Sequence, residues 1–207
     1  MHTQQLVYNN IINKSSALFI TYGIRSITMD DICIQCGISK KTLYAFFENK
    51  DELVNKVIQE ELEDFSNGLK VIRETGQNAI DEMMQLMNLV HKRTRRTQAN
   101  LTNELAKYYP KTHQQVEAFR KDELLLFLTS NLERGIREGL FMDGFNQEII
   151  ACMRLKQLES ILSKTAAIGS DNDIEEISRQ LNCHYISGLS TPEGFQLLKE
   201  YTHPTQA

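Results

Sequence analysis

The chain has 207 residues, of which 41% are apolar, 24% charged and 8% aromatic, with no Trp, four Cys and a formal net charge of −4. That composition fits a globular protein and excludes a disordered, fibrous or disulfide-scaffolded one. The longest aliphatic or aromatic run, Leu124 to Leu128, falls far short of the roughly 20 residues a spanning helix needs, and no export signal is visible, so a cytoplasmic chain with free thiols and no membrane partner is expected.

With only 10 Gly and 3 Pro, the turns that a sandwich or barrel requires are missing, and the expected fold class is all-α, with about nine or ten helices. In the first, Ile11, Ser15, Leu18, Phe19 and Tyr22 trace one face and Gly23 follows as a C-terminal cap. Thr28 is a good N-cap for a second, short helix. Asp30 and Asp31 sit in its first turn, where the helix dipole favours carboxylates, and Gly37 stops it. Ser39 caps a third short helix that runs through Phe46. Asn49 caps a fourth and longer one, with Leu53, Val57, Ile58 and Leu62 as its apolar positions.

Gly68 and Gly76 are expected to interrupt the pattern. Helices follow over about 78–96, up to Pro110, about 111–137, about 147–164 and about 173–187. Thr191-Pro192-Glu193 reads as the start of a last one, burying Phe195, Leu198 and Tyr201. The domain boundary is expected in the fourth helix, giving 1–50 and 51–207. Charge divides in the same way. Residues 1–50 carry five cations against three carboxylates, +2, which leaves −6 for the remainder. Local charge decides nucleic-acid binding, and whole-chain charge does not.

The informative stretch is Ile27 to Leu53, ITMDDICIQCGISKKTLYAFFENKDEL. It reads as helix, tight turn, helix, the arrangement whose second helix enters the major groove. Ile32 and Leu43 are placed to pack the two helices, and Gly37 to permit the turn. Ser39, Lys40, Lys41, Thr42 and Tyr44 supply donors and positive charge on the exposed side.

These residues resemble the N-terminal domain of the TetR family of transcriptional regulators. The match runs through Phe19, Gly23, Thr28, Ile32, Gly37-Ile38-Ser39, Thr42-Leu43-Tyr44, Phe47, Lys50 and Leu53, over about residues 8–60. A late run, Gly188-Leu-Ser-Thr-Pro-Glu-Gly194, is similar to one in many members. The resemblance implies a homodimeric, ligand-responsive repressor that reads a near-palindromic operator in double-stranded DNA and is released by a small-molecule effector. Thr28, Tyr44 and Lys50 fall on positions that contact phosphates. Ser39, Lys40, Lys41 and Thr42 fall at the start of the recognition helix, where base edges are read. Cys33 and Cys36 stand where small Ala is common, Phe46 where His or Tyr is common, and Asp30 places negative charge near the DNA face.

Other readings are weaker. Cys33-x-x-Cys36 has no second ligand pair nearby for zinc, and Cys33 is expected to fill a buried site, so no metal and no cofactor is expected. Glu-x-x-His occurs once, at Glu200–His203, where a bundle metal enzyme needs two. No phosphate loop or nucleophile elbow is present, so no enzyme is expected. The cluster from His91 to Arg96 reads as a helix end favoured by the dipole. Met83, Met84, Met87, Tyr108, Tyr109, Phe119 and Phe127 are candidates for a ligand pocket or for plain core. Met153, Leu158, Ile161, Ile177, Leu181 and Tyr185 are candidates for the dimer interface, by resemblance. The alternative function is a ligand-binding or interaction protein on the same scaffold that does not bind DNA.

Overall fold

The computed structural model describes residues 2–94, 101–163 and 174–202. Its regular elements are helices α1 His2–Tyr22, α2 Met29–Cys36, α3 Lys40–Phe46, α4 Lys50–Thr75, α5 Ala79–Thr94, α6 Leu101–Tyr108, α7 Pro110–Phe119, α8 Leu125–Arg137, α9 Gln147–Leu162, α10 Ile174–Leu189 and α11 Pro192–Thr202. A π-helical segment, Arg120–Leu124, joins α7 to α8. Counting that continuous run as one helix, the described residues hold ten. Among them no helix is long and apolar enough to cross a membrane.

The chain divides into two compact units, residues 1–64 with 96–117, and residues 65–95 with 118–207. The first is built on a core of Ile11, Phe19, Ile24, Ile32, Leu43, Phe47, Leu53 and Val54, each at most 1% exposed. Leu105 of α6 joins that core. Tyr8 stacks on Phe47, with ring centroids 5.7 Å apart. Fully burying a side chain such as Phe19 or Leu43 stabilises by about 1.5–3 kcal/mol. Tyr22, expected on the buried face of α1, is instead 57% exposed, while Phe19 in the same last turn is 1% exposed.

In the second unit Met83, Leu86, Leu128, Leu132, Leu158, Ile161 and Ile186 are wholly buried. Gly68 does not break α4, which runs unbroken to Thr75. A Cβ at Gly68 would press on the Leu89 side chain, so the glycine gives α5 room and leaves the helix intact. The late glycine run has a similar explanation. Thr191 Oγ donates to the Gly139 carbonyl (2.8 Å) and accepts from Gly194 N–H (3.1 Å). A Cβ on Gly194 would collide with the Leu140 carbonyl oxygen. The run docks the start of α11 against the loop after α8.

Candidate nucleic-acid interface

The helix pair is fixed by its caps. Thr28 Oγ accepts from Asp31 N–H (3.1 Å), and the Asp31 carboxylate accepts from Thr28 N–H (2.8 Å) and Thr28 O–H (2.6 Å). This reciprocal box satisfies donors that a helix start otherwise leaves unpaired. The same bonds hold the Asp31 carboxyl below its usual range. Gly37 ends α2 at φ 68°, a left-handed conformation that costs any residue with a Cβ. Ser39 then caps α3 by accepting from Thr42 N–H (3.1 Å). Asn49 caps α4 by accepting from Glu52 N–H (2.9 Å). Ile32 and Leu43, both 0% exposed, pack α2 on α3.

This framework turns one face of α3 outward. Ser39, Lys40, Lys41 and Tyr44 are exposed, and Thr42 is half-buried. Tyr44 is 48% exposed, so it is not a core aromatic. Lys40 Nζ lies 2.8 Å from an Asp30 oxygen, and that carboxylate raises its pKa. The Asp30 charge noted in the sequence thus pairs with Lys40 across the starts of the two helices. Cys33 is buried and Cys36 half-buried, both as free thiols, and burial pushes the Cys36 thiol up.

Lys50 is placed differently from its neighbours. Its Nζ donates to the Ile24 carbonyl at 2.6 Å, and burial draws its pKa down. It thus also closes the corner between α1 and α2. Glu104 of α6 secures the same corner, accepting from Ile24 N–H (2.7 Å) and Arg25 N–H (3.1 Å). Arg25 reaches Tyr108, donating to its hydroxyl at 2.9 Å and lying over its ring. Sequence reasoning missed this role of Glu104, because no local pattern marks a carboxylate 80 positions away as a partner of a loop.

The pocket and interface candidates do not gather into two clean sets. Met83, Met87 and Phe127 are core residues, and Phe119 packs beside them. Tyr108 lies in the other unit, half-exposed against Arg25, because α6 folds onto the N-terminal core. Leu158 and Ile161 are sealed in the second unit's own core, while Met153 on the same helix is 57% exposed. Leu158 and Ile161 offer no surface to a partner. Ile177, Leu181 and Tyr185 are half-buried. Among the described residues no three His, Cys, Asp or Glu side chains gather as a metal site requires. Arg95, Arg96 and His203 lie outside the described residues.

Residues 11–57 match the model of the bacterial regulatory proteins of the tetR family. Over those residues the chain is similar to tetR-family regulatory proteins. Two Bacillus subtilis (strain 168) proteins described as uncharacterized HTH-type transcriptional regulators are similar to this chain. YhgD is 23% identical over 189 residues, 87% of this chain and 95% of its own. YvaF is 30% identical over 104 residues, 50% of this chain and 55% of its own. A TetR-family transcriptional regulator from Agrobacterium tumefaciens superposes with a TM-score of 0.75 at 19% identity, covering 91% of this chain and all of that one. At that identity the likeness establishes the TetR fold over most of the chain.

Proposed function

We propose that this TetR-type chain is a transcriptional repressor that binds a near-palindromic operator as a homodimer and leaves it when a small molecule binds the second unit. One observation carries the DNA-binding half. A capped, glycine-turned helix pair shows Ser39, Lys40, Lys41 and Tyr44 to solvent at and along its second helix. The N-terminus of α3 carries the helix's positive dipole end and two ammonium groups, which suits it to the electronegative edge of guanine and the phosphates beside it. Thr28 and Ser39 each commit an oxygen to capping.

Two copies related by a two-fold axis would present two such helices, so the operator would repeat with inverted symmetry. The exposed apolar residues of α9, Ile149 and Met153, each 57% exposed, support a partner-facing role for that helix. Ligand release requires an effector that binds better to the form whose two recognition helices are wrongly spaced for DNA. Helix α4 is the element suited to transmit it, since its first residues group with one unit and its last with the other.

The test is the double variant Lys40→Ala/Lys41→Ala in fluorescence anisotropy with duplex DNA. Affinity is expected to fall at least about tenfold, with a shallower dependence on salt. Equal affinity and equal salt dependence in wild type and variant would favour the scaffold protein that does not bind DNA.

A further inference from the structure

In the second unit a guanidinium is sealed in the core. Arg154 on α9 is 0% exposed. Its Nη2 donates to Asn182 Oδ1 (2.5 Å) and Met87 Sδ (3.1 Å), and its Nη1 donates to Gln157 Oε1 (3.2 Å). Its Nε finds no acceptor. The guanidinium stands 4.6 Å from the centre of the Tyr185 ring. Among the described residues no carboxylate reaches it. Arginine keeps its proton in proteins, so a full positive charge stands among neutral groups. Such a charge is strongly unfavourable in a core unless an anion meets it.

The neighbours point to what that anion is. Asn182, which holds Arg154, shares its face of α10 with Ser178 and Tyr185, at spacings of four and three. The Ser178 hydroxyl and the Tyr185 hydroxyl are buried and without hydrogen-bond partners. Each is an O–H able to donate, and the Arg154 Nε–H is a third unused donor on the facing helix. Unused donors at Arg154 Nε and on the Tyr185 ring beside it, with Ser178 one turn from Asn182, call for an acceptor-only, singly charged group. Two thioethers stand at the same place, Met87 on Arg154 Nη2 and Met84 accepting through its sulfur from Asn182 Nδ2 at 3.3 Å. Methionine side chains repack readily to admit a ligand.

We propose that Arg154 anchors the carboxylate of a small apolar monocarboxylic acid, held between α9, α10 and α5. A phosphate or polyanion fits less well, because a single guanidinium supplies the positive charge and the neighbours are thioethers and amides. As the effector site this deepens the repressor reading and rests on it. The binding itself rests on the second unit alone.

The experiment is calorimetry on the full chain with four acids, octanoate, dodecanoate, benzoate and phenylacetate, each compared with its primary alcohol. At least one acid is expected to bind wild type, with its alcohol at least about tenfold weaker. Arg154→Met, a charge-free replacement of similar length, is expected to abolish that preference and keep its affinity for DNA. Failure of all four acids to bind, equal binding of acid and alcohol, or full acid binding by R154M overturns the proposal. The acid–alcohol comparison needs no variant, so it decides even where R154M does not fold. Anisotropy with duplex DNA on the same samples separates the two ideas. Absence of DNA binding by wild type would sink the repressor reading, and the acid result would stand or fall independently.

Discussion

Removing the Glu82 carboxylate tests whether the second unit is held by polar bonds as well as by its apolar core. Glu82 is 5% exposed. It accepts from Arg134 Nη1 at 2.7 Å and from Asn131 Nδ2 at 2.7 Å. The network continues from Arg134 to Gly76 O (3.0 Å) and to Glu138 (2.6 Å). Glu138 accepts from Ala79 N–H (2.8 Å), and Asn131 donates to Ala79 O (2.9 Å). It therefore ties the end of α4 and the start of α5 to α8. In Glu82→Ala, Arg134 keeps two of its three partners and Asn131 keeps one. The loss is two bonds to a carboxylate, both charge-assisted and each about 1.5–3 kcal/mol. The Arg134 side chain is 22% exposed, so water takes up part of the lost contact and the total stays at about 3 kcal/mol, the lower end for a broken buried pair. For a chain of this size that lowers Tm by about 6–12 °C. Urea and thermal unfolding followed by far-UV circular dichroism measure it. A loss no larger than that of Glu176→Ala, which breaks an exposed pair with Arg179, would refute the reasoning.

Other outcomes follow from single residues. Gly37 sits at φ 68° with open space where a Cβ would lie, so Gly37→Ala should cost about 1–2 kcal/mol in urea unfolding through backbone strain alone, and Gly37→Asn less. Arg179 and Gln180 hold the Glu176 carboxyl down to about 2, from 4.5. Because the folded pKa is depressed, the contribution of that pair to stability is complete above 4.5 and is lost as pH falls toward 2. In Arg179→Ala a carboxyl NMR titration should find Glu176 moved back toward its ordinary value, and no movement would contradict the pairing. Iodoacetamide should label exposed Cys152 first, Cys36 slowly because burial raises its thiol pKa, and Cys33 last. Mass spectrometry of the labelled peptides reads that order.

The helix-turn-helix unit was legible because its signals are local. Thr28, Ser39 and Asn49 cap helices within three residues of themselves, and Gly37 marks a turn by its own backbone. The features the sequence hid depend on distant partners or on backbone slips. Gly68 reads as a break, yet it lies inside α4 because Leu89 fills the space beside it. The π-helical segment Arg120–Leu124 shifts the hydrogen-bond register with no residue type to announce it. Arginine at a helical position reads as solvated, and no local pattern marks Arg154 as buried. The grouping of α6 with the N-terminal unit hangs on Leu105, Glu104 and Tyr108 meeting residues about 80 positions earlier. Helical spacing in Met153, Leu158 and Ile161 marks an apolar helix. It cannot say which side meets its own core and which meets a second copy.

Operator binding by α3 is read out by a footprint of the purified protein on the DNA flanking its own gene, repeated over a salt series. A protected, near-palindromic stretch is expected, with an affinity that falls steeply as salt rises, because Lys and Arg contacts to phosphate release counterions. Absence of binding even at low salt, where non-specific contact with any duplex is strongest, would contradict it.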